Sequence, residues 1–177
     1  GLESLESDIK SGITFLHIDP WKSVSSFEAG VKRTKDLIEH CLLVNKDCYF
    51  EVGTEEAIFP YSPKELGQML ADLEKGLGDN FSKIVYGVVQ SGTSILGMKN
   101  TGNFSKEKSA EMSRVCHSYG LYSKEHNSDY LSSNEIRMRL NAGVDSLNIA
   151  PELGVLETKA IMEILSEREV LRERFIK

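Results

Sequence analysis

The sequence predicts an α/β fold built on one parallel β-sheet. Short apolar runs recur along the chain, a segment with helical periodicity follows each run, and the connections between them are short. Five such units fit into 177 residues, which is the length of one domain with a substantial core. Polar residues end each run, so one edge of the sheet is expected to collect them.

The five predicted strands are short and mainly apolar, as buried parallel strands are. The third of them, "KIVYGVVQ", is the richest in β-branched residues. We expect the strands to pair in chain order within one sheet. They are predicted near residues 13–18, 48–52, 83–89, 121–125 and 144–149.

Capping residues predict where the first three of the helices that follow these strands begin. Ser25 or Ser26 can cap a helix that continues to about residue 45. Pro63 fits the first position of the next helix, because its missing N–H has no partner there in any case. A further helix is predicted to begin near Ser105.

Two more helices are predicted in the last third of the chain. Ser132 and Glu135 have the spacing of a capping box, and Gly143 can end the helix that they begin. The last helix is predicted over about 154–174. Its charged segment "SEREVLRERFIK" is typical of a solvated helix with ion pairs four residues apart.

Composition excludes several classes of protein. The net charge is −6 without a basic block, which argues against a nucleic-acid partner. The sequence contains no apolar run of the roughly 18 residues that cross a bilayer and no recognisable signal peptide, so no membrane association and a cytoplasmic location are expected. Cys41, Cys48 and Cys116 are odd in number and lack CxxC spacing, so they are expected in the core.

Polar residues at the predicted strand ends are the candidates for function, because ligands bind at this edge of parallel α/β sheets. These residues also have structural alternatives. His126 fits a loop histidine whose hydrogen bonds are satisfied, Asp19 fits a turn before Pro20, and Glu51 and Glu55 fit caps of the next segment. A Glu inside "YFEVG" nevertheless needs a polar partner. The candidates are His17, Asp19, Glu51, Thr54, Glu55, Gln90, Glu125, His126, Asp129 and Asn148.

Common nucleotide, protease and hydrolase motifs are absent: the sequence contains no GxGxxG, GxxxxGK[ST], HExxH or GxSxG. Two segments can offer backbone N–H groups to a phosphate. "VVQSGTSILG" follows the third strand, and "NIAPEL" enters a helix after the fifth. The second is the better candidate, because barrels often bind phosphate after their final strands.

Five segments together resemble the C-terminal part of the tagatose-1,6-bisphosphate aldolase non-catalytic subunit family. They are "FLHID", "FEVGTEE", "IVYGVVQSGTS", "KEHNSDYLS" and "LNIAPELGVLETKAI", in the family's order and with similar spacing. The resemblance implies a TIM (β/α)8-type barrel of the class II aldolase kind. It begins at the family's fourth strand, so it implies that 1–177 is one barrel-type domain of about five βα units without the first three.

The resemblance also implies roles for the residues at the strand ends. Catalysis is expected from Asp19, Glu55 and Asp129, with Glu55 or Asp129 as the acid/base carboxylate. A divalent metal (Zn, Mn or Mg) is expected at His126 with Asp19 and Glu55. The remaining candidates are expected to bind substrate: His17, Glu51, Thr54, Gln90, Glu125 and Asn148.

Three departures from the family limit what the resemblance implies. Ser91 replaces the usual Pro, and "NIAPEL" lacks the family's Lys-Val-Gly. Class II aldolases hold zinc with three His from three strand ends, and here His126 alone is expected at such a position. No lyase turnover is therefore expected from this chain alone.

The implied function is that of a carbohydrate-metabolism protein of ketose-bisphosphate aldolase type, which binds a sugar phosphate, supports a catalytic aldolase subunit, or does both. If active, it would be a class II aldolase-like lyase. The alternative is a stand-alone divalent-metal sugar-phosphate lyase, isomerase or epimerase. A five-unit sheet would leave open edges and an inner face of Val, Ile and Gln side chains, so an oligomer or completion by an N-terminal region is expected.

Overall fold

A parallel sheet forms the centre of the computed structural model, which describes residues 1–176. Every neighbouring pair of strands is parallel, and the strand order is β1 (Phe15–Ile18), β2 (Tyr49–Val52), β3 (Ile84–Val89), β6 (Tyr122–Glu125) and β7 (Ser146–Leu147). The predicted α/β fold and chain-order pairing are confirmed. Two further strands, β4 (Ile95–Leu96) and β5 (Lys99–Asn100), lie outside this sheet.

Strands β4 and β5 form a short antiparallel hairpin between β3 and the following helix, which the sequence patterns do not predict. The base of this hairpin is tightly packed. A Cβ added at Gly92 would lie 2.1 Å from the carbonyl oxygen of Asn103, and one at Gly102 would lie 1.9 Å from that of Gly92. Only glycine allows the two backbone segments to approach so closely.

The helices begin where the capping residues predict. Ser26 and Ser105 accept hydrogen bonds from the backbone N–H groups of their helices, and Ser132 and Glu135 form the predicted capping box. No helix within residues 1–176 is long and apolar enough to cross a bilayer. The helices are α1 (Leu2–Lys10), α2 (Phe27–Val44), α3 (Pro63–Leu77), α4 (Lys106–Ser118), α5 (Ser133–Asn141), α6 (Pro151–Ile164) and α7 (Glu169–Ile176).

The last predicted helix differs from the structure in two ways. It begins at Pro151 rather than near residue 154, because proline is favoured at the first helical position. It is also interrupted after Ile164, and α7 begins only at Glu169. No residue described in either helix is buried. Packing against the core therefore does not hold residues 165–168 in a helix that would join α6 to α7.

Helices α2, α3 and α4 pack on one face of the sheet and form the core with it. Leu16, Phe50 and Val89 face these helices and are buried. The three cysteines belong to the same core, as predicted, and burial raises the pKa of Cys41 to about 11 and that of Cys116 to about 12. These thiols are therefore unreactive at neutral pH.

The opposite face of the sheet, here called the helix-free face, has no helix packed on it within residues 1–176. Side chains alternate between the two faces of a strand, and this alternation places four aromatic residues, here called the aromatic row, on this face. The row differs from the predicted Val, Ile and Gln side chains. It consists of Phe15, Tyr49, Tyr86 and Tyr122, and three of these rings are more than 40% exposed.

Candidate functional site

Two imidazoles and a carboxylate meet at the carboxyl ends of β1, β2 and β6, on the helix-free face. His17 and Glu51 are neighbours across β1 and β2, and His126 directly follows β6. One ligand atom from each residue lies within 4.8 Å of the others. His17 Nε2 is 3.8 Å from Glu51 Oε1, and His126 Nε2 forms a hydrogen bond with the same oxygen.

Lys124 supplies the positive charge that pairs with Glu51 in this cluster. Its Nζ lies 2.5 Å from Glu51 Oε2, so both carboxylate oxygens of Glu51 have partners. Burial by itself raises the pKa of Glu51, which is 1% exposed, but hydrogen bonds from His126 and Lys124 outweigh it and lower the pKa to about 2. Glu51 is therefore ionised throughout the neutral range.

The protonation state of His17 also favours a ligand role. Burial lowers the pKa of this imidazole, and the nearby carboxylate of Glu51 only partly opposes the effect. A neutral imidazole has a nitrogen lone pair to offer a cation, whereas a protonated one does not. Two imidazole nitrogens and one carboxylate oxygen form a donor set that fits Zn²⁺ or Mn²⁺.

Glu55 faces the other nitrogen of the His126 ring. Its Oε1 lies 3.7 Å from His126 Nδ1, and its side chain is 32% exposed. A carboxylate on the far nitrogen of an imidazole fixes the tautomer and orientation of the ring. The predicted proximity of Glu55 and His126 is therefore seen, with Glu55 on the outer side of the ring.

Asp19 lies at the end of β1 but makes a different set of contacts. Its Oδ2 accepts a hydrogen bond from Thr54 Oγ1 at 2.9 Å, and its Oδ1 accepts one from the backbone N–H of Trp21 at 3.2 Å. The three-residue cluster in the structure contains His17 and Glu51 where Asp19 and Glu55 are predicted as ligands. The metal and catalytic roles of Asp19 stay predictions.

The expectation that His126 is the one histidine available for a zinc site is wrong, because His17 reaches the same cluster. The two imidazole rings lie 4.8 Å apart, centroid to centroid. His17 is the third residue of β1, so the pleat directs it to the helix-free face. A two-histidine, one-carboxylate donor set is therefore present in this chain.

Gln90 holds the loop that follows β2. Its Nε2 donates hydrogen bonds to the carbonyl oxygens of Thr54 and Phe59, and its Oε1 accepts one from the backbone N–H of Tyr61. Asn148 joins β6 through its backbone, because its N–H donates to the carbonyl oxygen of Glu125 at 2.8 Å. Substrate binding by Thr54, Gln90 and Asn148 stays a prediction.

Glu125 points to the helix-covered side of the sheet, away from His126. Its Oε1 lies 2.5 Å from Arg139 Nε, and it also accepts hydrogen bonds from the hydroxyl groups of Ser91 and Ser128. Burial raises the pKa of Glu125 although Arg139 opposes the effect. The side chain has no exposed surface, so these contacts are those of a structural anchor, and the predicted role in substrate binding has no support from them.

Asp129 caps the start of α6. Its Oδ1 accepts hydrogen bonds from the backbone N–H groups of Ala150 at 3.0 Å and Glu152 at 2.8 Å. These are the groups that a phosphate bound at "NIAPEL" would need, so the predicted phosphate site is already filled by a carboxylate of the chain itself. The contacts of Asp129 are those of a cap, and its catalytic role stays a prediction.

Two residues of these networks, Lys124 and Arg139, are missing from the sequence-based candidates. The signal for Lys124 is the period of two along a strand: Lys124 and His126 share one face, and Glu125 lies on the other. Arg139 belongs to α5 and reaches Glu125 across 14 positions of the chain. No strand-end pattern can indicate a contact of that kind.

No protein-family model and no curated protein matches this chain. Solved structures do match. A probable tagatose 6 phosphate kinase from Sinorhizobium meliloti 1021 has a TM-score of 0.68 and 18% identity, over 85% of this chain and 41% of its own. The YdjI aldolase from Escherichia coli K12 has a TM-score of 0.66 and 16% identity, over 94% and 54% of the two chains.

A third match is the fructose-bisphosphate aldolase from Campylobacter jejuni, with a TM-score of 0.64 and 12% identity, over 95% of this chain and 50% of that one. At these identities the likeness establishes the fold alone, which is that of part of a TIM-type barrel. The chain spans about half the length of these three structures. Membership of the non-catalytic subunit family stays a prediction.

Proposed function

We propose that this chain is the ligand-binding part of a class II aldolase-like protein of carbohydrate metabolism. It binds a ketose phosphate, such as tagatose 1,6-bisphosphate, at a divalent-cation site made by His17, Glu51 and His126. The observation that carries the proposal is the meeting of these three donors at the carboxyl ends of parallel strands, where barrel enzymes have their active sites.

The chain's own residues divide the work of this site. His17, Glu51 and His126 would hold the cation, which, when bound, polarises a carbonyl group of the substrate. Glu55 is the better of the two predicted acid/base carboxylates, because it is partly exposed and lies beside His126. Asp129 is the weaker candidate, because its carboxylate already holds two backbone N–H groups of α6.

A pocket beside the cluster supports an anionic substrate. It has a volume of about 300 Å³ and is lined by His17, Asp19 and Ser23, with Arg33 of α2 on its wall. A guanidinium group can bind a phosphate through two parallel hydrogen bonds. A ketose phosphate could therefore place its sugar at the cluster and a phosphate near Arg33.

The proposal is tested by measuring metal binding and ketose-phosphate cleavage on the purified chain. We expect one Zn²⁺ or Mn²⁺ per chain, lost in His126→Gln and retained in the control His117→Gln, whose exposed imidazole lies near the end of α4 and pairs with Asp145, away from the cluster. Metal and ketose-phosphate binding with turnover would assign catalysis to this chain. Binding of both without turnover would assign it the supporting role beside a catalytic aldolase subunit. Absence of metal binding would overturn the proposal.

The sequence predicts no turnover because histidine ligands for a zinc site are missing. The presence of His17 in the cluster weakens that reason. A second reason is the open sheet, since a closed barrel of this type has eight strands. The five-stranded sheet leaves the free edges of β1 and β7 available for pairing. We therefore propose that an oligomer or further βα units complete the site, and light scattering during the turnover assay tests this.

One observation favours an isomerase or epimerase as the second candidate. The two ring nitrogens of His126 face two different carboxylates, Glu51 and Glu55. An imidazole held between two carboxylates can take up a proton at one nitrogen and release one at the other, and such a shuttle serves proton transfer without bond cleavage. Exchange of deuterium from solvent into a sugar phosphate, without release of a smaller product, would select this candidate over the aldolase.

A further inference from the structure

Lys124 is the residue of the cluster to which neither a metal-ligand nor a substrate role has yet been given. It lies on β6 two positions before His126, and its side chain is 18% exposed on the helix-free face. Its Nζ contacts Glu51 Oε2 at 2.5 Å and lies 5.6 Å from the centre of the Tyr86 ring. The ammonium group is thus held beside the donors rather than turned to solvent.

The position of Lys124 determines the net charge that the cluster presents to a bound cation. Glu51 carries one negative charge, and Lys124 carries one positive charge. The two imidazoles must be neutral to act as ligands. These four side chains sum to zero. The neighbouring carboxylates of Glu55 and Asp19 lie outside the donor set, and Asp19 already accepts two hydrogen bonds, so the donors themselves leave the two positive charges of a divalent cation without compensation.

We propose that Lys124 offsets the charge of Glu51 so that the cation site selects a ligand with an anionic oxygen over a neutral polyol. The inference rests on the proposed function and names the substrate class of that same site: a sugar derivative that presents a carboxylate or an ionised hydroxyl group to the cation. An anionic ligand supplies the missing negative charge, and a neutral diol of the same size does not.

The opposite possibility is that Lys124 only holds Glu51 in place. The two roles predict changes of opposite sign when the ammonium group is removed. Loss of a positive charge beside a cation site strengthens cation binding, on the order of tenfold for a like charge a few ångströms away that is largely screened by solvent. Loss of a residue that merely positions a ligand weakens cation binding instead.

The experiment is a titration with Co²⁺, followed by visible absorption, of the wild-type chain and of Lys124→Met. Each is measured alone, with glycolate, and with ethylene glycol as the neutral analogue. Lys83→Met is the matched control, because Lys83 also lies over a ring of the helix-free face, 4.6 Å from the centre of Tyr49, without contacting Glu51. Circular dichroism verifies that each variant is folded.

We expect Lys124→Met to bind Co²⁺ about tenfold more tightly than wild type, and Lys83→Met to match wild type. Glycolate should tighten Co²⁺ binding to wild type, and Co²⁺ should tighten glycolate binding by the same factor. This coupling should shrink severalfold in Lys124→Met. Ethylene glycol should show no coupling in any of the three proteins.

Unchanged or weaker Co²⁺ binding by folded Lys124→Met, or equal coupling for glycolate and ethylene glycol, would overturn the inference and leave the proposed function standing. A wild-type chain that fails to bind Co²⁺ would overturn both. If Lys124→Met does not fold, Lys124→Gln takes its place, because it also removes the ammonium charge and keeps a polar group that can donate to Glu51, and the same changes in Co²⁺ affinity and in coupling are required of it.

Discussion

Glu51 and Glu125 are two buried carboxylates with the same kind of partner and opposite behaviour. Each is at most 1% exposed, and each lies 2.5 Å from a cationic nitrogen, Lys124 Nζ for Glu51 and Arg139 Nε for Glu125. The pKa of Glu51 is lowered to about 2, whereas that of Glu125 is raised. Burial raises both, so the difference lies in the hydrogen bonds that oppose it.

What lies beyond each carboxylate explains the contrast. Glu51 is on the helix-free face, and its oxygens are directed at side chains that a ligand could rearrange. Glu125 is covered by α5, and its hydrogen bonds to Ser91 and Ser128 join two loops to the sheet. An ion pair on the open face thus becomes a candidate binding site, and one beneath a helix becomes an anchor.

The largest expected effect comes from breaking the anchor. Arg139→Ala leaves Glu125 buried without its cation, and we expect the free energy of unfolding to fall by roughly 3–5 kcal/mol. Urea denaturation measures it. Arg137→Ala is the matched control, because Arg137 is exposed on the same helix, and it should change stability by no more than about 0.5 kcal/mol. A loss of that small size in Arg139→Ala would show that Glu125 is not an anchor.

A smaller effect is expected from removing a carboxylate beside the cluster on the helix-free face. Glu55→Gln removes the carboxylate that faces Nδ1 of His126, and we expect metal affinity to fall on the order of tenfold, as for other partners of ligating histidines. Isothermal titration with Zn²⁺ measures it. Glu56→Gln is the control, because Glu56 pairs with Lys108 instead. Equal affinities in Glu55→Gln and wild type would remove Glu55 from the site.

Asp145 is a third carboxylate with hydrogen-bond partners. It lies at the amino end of β7, at the edge of the sheet opposite the cluster. Burial raises its pKa, but hydrogen bonds from Ser123 and His117 outweigh it, so the pKa lies below its usual value of 3.8. A lowered pKa stabilises the fold above the unfolded-state value, and this contribution is lost as pH falls through the lower folded-state value.

Asp145→Asn should therefore cost about 1 kcal/mol at pH 6, the usual worth of such hydrogen bonds. The difference from wild type should shrink as the pH drops below 3.8. Urea unfolding across this range measures it, with Asp79→Asn on the exposed surface as the control. A difference that stays constant with pH would mean that Asp145 acts through packing rather than charge.

Local signals were sufficient to predict most of the fold. Apolar runs located all five strands of the sheet, and the hydroxyl caps located helix starts at Ser26, Ser105 and Ser132. The hairpin of β4 and β5 was not predicted, because each strand has only two residues and too few positions for a pattern. The interruption before α7 was missed because the charged segment has uniform helical propensity.

The candidate site could be predicted only in part. Strand-end position brings His17, Glu51 and His126 to one edge, but it does not say on which face each side chain lies. Glu125 illustrates this, since it ends β6 and yet faces the helices. The capping role of Asp129 depends on a helix that begins more than 20 positions later, which no local pattern reveals.

The alternation of Lys124, Glu125 and His126 constrains how this protein can evolve. Because neighbouring residues of a strand face opposite sides, insertion or deletion of one residue before Lys124 would exchange the faces of all three side chains. Glu125 would then enter the cluster, and His126 would be pressed against α5. Natural variants should therefore change the length of this segment in loops such as the β4–β5 hairpin and keep the count of residues within β6 constant.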